Sequence, residues 1–150
     1  MSGYDPDAAA TAVSITRAGD ACFAELEELV EGNPGTDIPD DILASLHLLF
    51  GKNLAKALEV VDAGGITAHV GERSGRTVYK VPGRGDVYTV FPSHYCSCQS
   101  FMYDIVGRGE AVYCKHQLAV RLASVLRRVA RAPCSDQDLA RRLLGEGGVG

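Results

Sequence analysis

Apolar residues recur every three or four positions along the first part of the chain. From about Ala9 to Glu31 they include Cys22, Phe23, Leu26, Leu29 and Val30, the spacing of one helix face. Gly32-Asn33-Pro34-Gly35 breaks that pattern. Pro39 opens a second helix as a first-turn proline, with Asp40 and Asp41 where the helix dipole favours acids. Ile42, Leu43, Leu46, Leu49 and Phe50 form its apolar face, and Gly51 stops it. Leu54, Leu58 and Val61 predict a third helix ending at Gly64-Gly65.

The period then changes to two. Ile66–Val70, Thr77–Val81 and Val87–Phe91 are short, alternating, and rich in β-branched and aromatic residues. Arg73-Ser74-Gly75 and Pro82-Gly83-Arg84-Gly85-Asp86 between them are turn sequences, so three antiparallel strands joined by hairpins are expected. The last strand runs on towards His94-Tyr95-Cys96, and Gln99–Val106 reads as a short helix. From Lys115, the stripe Leu118, Ala119, Leu122, Val125, Leu126 and Val129 predicts a long helix that Pro133 ends. Gln117, Arg121, Ser124, Arg128 and Arg131 occupy its polar face. Ser135 with Asp138 resembles a capping box, so Leu139, Leu143 and Leu144 mark a last short helix before a fraying Gly145–Gly150 tail.

Composition narrows the class. The 150 residues are 46% hydrophobic and 23% charged, which suits one globular domain with an ordinary core and excludes a disordered chain. No apolar run approaches the ~20 residues of a membrane span. Met1–Ala10 carries two aspartates and no basic segment, unlike a secretory leader. The net charge of −4 is unevenly spread: residues 1–62 hold 12 acidic and 3 basic side chains, and residues 63–150 hold 7 acidic and 12 basic. An acidic helical half and a basic half suggest two surfaces with different partners.

The basic half holds the chemistry. Five cysteines without a leader predict reduced thiols rather than a disulfide framework. Cys96-Ser97-Cys98, fifteen intervening residues, and Cys114-Lys115-His116 supply four ligands of the kind a structural Zn²⁺ takes. Residues two apart on a strand share a face, so Cys96 and Cys98 reach one metal. Cys114 and His116 would diverge by roughly 200° on a continuous helix, so Cys114 is expected in extended chain with the helix starting just after it. Buried free cysteines are the plainer reading of such residues, but two tight pairs at a strand-to-helix seam favour one closed, non-catalytic zinc site.

The spacing C-x-C…C-x-H is the signature of the SWIM zinc-finger family, here Cys96, Cys98, Cys114 and His116. The resemblance spans roughly residues 36–145: Ile38-Pro39-Asp40-Asp41, Leu49-Phe50-Gly51, Ala57 to Asp62, Ser74 to Tyr79, His94 to Cys98 and Cys114 to Val120 look like the small SWIM subunits of Shu-type recombination complexes. That resemblance implies a non-enzymatic nuclear protein with one structural zinc. It also implies a hetero-oligomer with a RecA-like ATPase paralogue, supporting recombinase filaments on single-stranded DNA. The zinc finger in such proteins serves partner binding and complex stability.

The residues bear on this independently. Gly51-Lys52-Asn53 is no phosphate-binding loop, and no nucleophile-base or paired-carboxylate arrangement is discernible, so an enzyme is not expected. Arg73, Arg76, Lys80 and Arg84 on hairpins, and Lys115, Arg121, Arg127, Arg128 and Arg131 on the long helix, are candidate phosphate contacts. Tyr79, Tyr88 and Tyr95 are candidate base-stacking rings. Taken singly, each is an ordinary solvated or core residue. An alternative function is a self-sufficient nucleic-acid-binding zinc domain without an obligatory protein partner. Leu46, Leu49 and Phe50 would form a docking stripe if left uncovered. His94 and Cys134 could approach the metal site but read more simply as a strand histidine and a free thiol; Cys22 and His47 read as helix packing residues.

The expected fold class is α+β: amphipathic N-terminal helices, a three-stranded antiparallel meander, the zinc finger leading into a long helix, and a short C-terminal helix. One compact domain is expected to divide into an N-terminal helix and linker (1–35), a helical pair (36–63), the zinc-finger module (64–134), and a C-terminal helix with a frayed tail (135–150).

Overall fold

A computed structural model describes residues 5–92, 95–98, 101 and 112–143. The sequence-predicted helix Gln99–Val106, His94 and the Gly145–Gly150 tail lie outside the described residues, apart from Phe101. Helix α1 spans Pro6–Gly32. It starts earlier than its apolar pattern does, because Asp5 caps it by accepting from the backbone N–H of Asp7 and Ala8 at 3.0 and 3.3 Å, with Pro6 in the first turn. Helices α2 (Asp40–Phe50) and α3 (Lys52–Ala63) follow, joined at Gly51, whose φ of +59° suits a residue without a Cβ. Phe23, Leu26 and Val30 of α1, Ile42 and Leu46 of α2, and Leu54, Ala57 and Val61 of α3 are buried in one core. The Phe50 ring lies so close to Gly19 that a Cβ there would come within 2.7 Å of it.

Strands β1 (Thr67–Gly71), β2 (Thr77–Gly83) and β3 (Asp86–Phe91) form the expected antiparallel meander. It is widened at both edges. β4 (Tyr95–Cys96) is a separate two-residue strand folded back antiparallel on β3, not a continuation of it. β5 (Ala130–Cys134) runs parallel to β1, so the described sheet has five strands in the order β4-β3-β2-β1-β5.

β5 corrects the predicted long helix. Helix α4 is only Lys115–Val125. Leu126 caps it, Arg127 turns the chain with φ of +59°, and its N–H bonds the Ser124 carbonyl at 3.2 Å while that of Arg128 bonds the Ala123 carbonyl at 2.8 Å. Those two bonds make a Schellman ending. Val129 and Arg131 are therefore not on the helix, Arg128 belongs to the turn, and Pro133 sits within an edge strand, where a missing N–H is tolerated.

Ile66, Val81 and Val90 face the helices and join the main core with Leu118, Ala119, Leu122 and Ala123 of α4. On the other face, helix α5 (Asp136–Leu143) covers β1 and β2 through buried Leu139. Ser135 caps α5 as expected, accepting from Asp138 N–H at 3.1 Å. No described helix is long and apolar enough to cross a membrane.

Candidate metal centre

β4 pairs Cys96 with Val90, which turns the thiol to the helix-facing side of the sheet. Ser97 holds the chain against β3: its N–H bonds the Thr89 carbonyl at 3.1 Å, and its Oγ accepts from Thr89 N–H at 3.0 Å. Cys98 then returns to the side of Cys96, in a bend rather than a strand. Its Sγ accepts from Phe101 N–H at 3.4 Å.

The second pair comes from the start of α4. Cys114 is the residue before the helix, extended at φ −74° and ψ 167°, as the two-residue spacing requires. Its Sγ accepts from Gln117 N–H at 3.4 Å, and Gln117 Oε1 accepts from Cys114 N–H at 3.0 Å. This is a capping box with a sulfur in place of the usual hydroxyl. Gln117 is 1% exposed; the apolar period alone puts it on the polar face, and the missed signal is its position three residues after Cys114. Within the first turn, the His116 ring stacks on Tyr88 with centroids 4.2 Å apart and holds Nδ1 at 3.7 Å from Cys96 Sγ.

The ligand atoms of Cys96, Cys98, Cys114 and His116 all lie within 4.8 Å of one another, and all four residues are buried. With Zn–S bonds of about 2.3 Å and Zn–N bonds of about 2.0–2.1 Å, a tetrahedral zinc sets ligand atoms about 3.5–3.8 Å apart, so the cluster needs little contraction to close on an ion. The thiols support the same conclusion. Hydrogen bonds from Cys114 and Cys96 hold Cys98 well below the usual thiol range. Those from Cys114 and Cys98, with burial, hold Cys96 well above it. Cys96 draws Cys114 down, but Cys98 and burial outweigh it and push Cys114 up to about 11. Three sulfurs in one dry pocket do not all ionise without a cation among them. The donor set thus fits one zinc ion, held by three thiolates and one imidazole.

The other sequence-predicted residues scatter. Arg73 and Arg76 are exposed at the β1–β2 turn, and Arg84 is exposed in the β2–β3 turn at the opposite end of β2. Lys115 is half-buried in the first turn of α4, and Arg131 is exposed on β5. Arg121 faces inward: it pairs with Asp20 at 2.7 Å, lies 4.7 Å over the Phe23 ring and donates to Tyr113 Oη at 3.2 Å. Arg128 is 3.8 Å from Asp37 and 3.6 Å from Asp62. Lys80 is buried. Tyr79 and Tyr88 are half-buried against the core, and Tyr95 is exposed.

Leu46 is fully buried, and Phe50 packs against Phe23 and Tyr113 with centroids at 6.3 and 5.6 Å. Leu46, Leu49 and Phe50 therefore do not form an open stripe; the exposed leucine of α2 is Leu48. Cys134 lies on β5, four strands from Cys96 and roughly 19 Å away, so it is not part of the cluster. Cys22 is a half-buried thiol pushed up by burial and then by Glu25. His47 is exposed on α2.

An α+β domain whose sheet edge and helix start each present a C-x-C or C-x-H pair to one buried point is a zinc-finger fold of Cys₃His type. The chain is 41% identical to human zinc finger SWIM domain-containing protein 7 over 111 residues, 73% of this chain and 79% of the relative. It is 39% identical to the zebrafish protein of that name over 68% of this chain and 74% of the relative. A Dictyostelium discoideum homologue is 32% identical over 79% of this chain and 78% of the relative. The chain belongs to the zinc finger SWIM domain-containing protein 7 family. No protein-family model and no solved structure matches it.

Proposed function

We propose that this chain is a non-catalytic, zinc-stabilised subunit of a Shu-type complex. In this reading it pairs with a RecA-like ATPase paralogue in the nucleus and promotes recombinase filament assembly on single-stranded DNA during homologous recombination. The observation that carries the reading is a closed Cys₃His centre in a chain 41% identical to a zinc finger SWIM protein. Four buried protein donors leave a tetrahedral ion no position for a reacting water. Zinc here would supply a cross-link between the sheet edge and α4, and Cys96, Cys98, Cys114 and His116 would hold it. Any nucleotide hydrolysis in such a complex belongs to the partner.

The test is capture of the chain coexpressed with candidate RecA-like ATPases, with and without a zinc chelator, alongside elemental analysis. One zinc per chain and chelator-sensitive capture are expected. Protein purified without zinc, or capture indifferent to the chelator, would count against the proposal.

The alternative, a self-sufficient nucleic-acid-binding zinc domain, is disfavoured by where the cations fall. Arg76 and Arg84 stand at opposite ends of β2, roughly 25 Å apart, and Arg121 and Arg128 already face carboxylates. Tight, steeply salt-dependent binding of single strands by the isolated chain would favour it instead.

A further inference from the structure

A second group of titratable side chains lies on the sheet face away from the metal centre, beside α5. Register places His69 of β1 opposite Val78, and Lys80 of β2 between Thr67 and Thr89, so both side chains share that face. Lys80 is only 9% exposed. Its ammonium donates to Thr89 Oγ1 at 2.7 Å and to the Arg142 backbone carbonyl at 3.0 Å; both acceptors are neutral. His69 Nδ1 and Arg142 Nε are buried and have no hydrogen-bond partner.

The carboxylates of α5 are committed elsewhere. Asp136 accepts from the backbone N–H of Arg73 and Ser74 and from the Ser74 hydroxyl, and Asp138 pairs with Arg141 at 3.3 Å. Burial, then Arg142 and Lys80, hold the His69 imidazole below its ordinary range; burial, then Arg142, does the same to Lys80. Among the described residues no acidic side chain pairs with Lys80 or Arg142.

The bond from Lys80 to a carbonyl in the last turn of α5 explains the lysine as a helix cap. It does not explain the guanidinium and the imidazole gathered beside it, each with a buried nitrogen that has no partner. Buried positive charge without a counter-ion is costly, and folds pair it or bring an anion to it. We propose that Lys80, Arg142 and His69 form a binding site for a single phosphate group. The third ammonium hydrogen of Lys80, the unpaired Nε–H of Arg142 and His69, in its Nδ1–H tautomer, would then donate to one tetrahedral oxyanion, with charge-assisted bonds from the two cations. His69 and Arg142 are half-buried as residues while the two unpaired nitrogens themselves are covered, so an anion enters by displacement of the half-exposed Arg142 side chain. The phosphate could belong to a nucleic-acid backbone or be free in solution; the chemistry is shared. This site is independent of the partner reading of the zinc module.

The test uses the full zinc-loaded chain. Arg142→Gln removes the guanidinium but keeps the carbonyl that receives Lys80, and His69→Gln is a second probe should the first variant fold poorly. Thermal midpoints are compared in inorganic phosphate and in chloride at matched ionic strength. Anisotropy reports binding of a fluorescent oligo-dT. At phosphate tenfold above its dissociation constant the midpoint should rise by about 3–6 °C, and either substitution should abolish the rise. If Arg142→Gln also weakens the oligonucleotide at least about fivefold, with free phosphate competing, the source is the nucleic-acid backbone. A midpoint rise without that loss identifies free phosphate. No phosphate-specific rise in the parent chain, or an equal rise in both variants, overturns the proposal.

Discussion

Replacing Gln117 by methionine tests whether the cap that orients Cys114 also sets the metal affinity. The side chain keeps its length and apolar stem but loses the oxygen that accepts from Cys114 N–H at 3.0 Å. Cys114 is 1% exposed, so its N–H finds no water in exchange. A buried orphan donor costs about 1–3 kcal/mol, and at this chain length each kcal/mol moves the melting midpoint about 2–4 °C. A drop of about 2–12 °C in the zinc-loaded protein is therefore expected. The Gln117 N–H still reaches Cys114 Sγ, but with its own N–H released the Cys114 backbone shifts at the helix start and aims the thiolate less well; losing such an orienting contact lowers metal affinity about 10–100-fold. Competition against a chromophoric chelator reads the affinity, and a thermal melt at saturating zinc reads the fold. Affinity within twofold of the parent, with a midpoint less than about 1 °C lower, would refute the link between cap and metal.

Three further outcomes follow from backbone and packing. Gly19→Ala gains about 1 kcal/mol of helix propensity, but its Cβ meets the Phe50 ring at 2.7 Å; overpacking of about 1–3 kcal/mol outweighs the gain, and a urea melt should show net destabilisation. Arg127→Gly should stabilise by about 0.5–1 kcal/mol, because it relieves a left-handed residue at some cost in unfolded-chain entropy, read as a higher denaturation midpoint. Ser74, chiefly through its hydroxyl, holds the Asp136 carboxyl below its usual range. Its stabilisation is thus fully present above the unfolded value of about 3.9 and is lost as pH falls through the folded one. The midpoint difference between the parent and Asp136→Asn should be flat above pH ~5 and shrink towards zero below pH ~4.

The parts of the fold that local spacing governs are legible in the sequence. The three N-terminal helices, the meander and the four metal ligands each follow from a period or from a pair of residues two apart. The end of α4 does not, because Arg127 occupies the left-handed position where glycine is the usual signal. β5 is equally hidden: Ala130–Cys134 contains a proline and becomes a strand by pairing with β1, with the Ile66 carbonyl and Glu72 N–H that flank β1 bonding its two ends. The metal site is half local and half not. C-x-C and C-x-H can be read directly, whereas the stacking of Tyr88 on His116 depends on register between β3 and α4. The basic surplus misleads for the same reason. Arg121 and Arg128 look free along the chain, and their acidic neighbours Asp20, Asp37 and Asp62 lie in the first half.

β4 has just two residues, yet it covers the outer edge of β3, an Asp86–Phe91 run containing Val87, Tyr88, Val90 and Phe91. A strand that short does not hold itself in place; the bonds from Ser97 to Thr89 and the ligand beside it tether it. Stripping the ion would release the cover and leave an aromatic, β-branched edge free to recruit copies of itself. A zinc held there would thus also guard against aggregation, and metal-starved cells should lose this protein to insoluble material before they lose its helices.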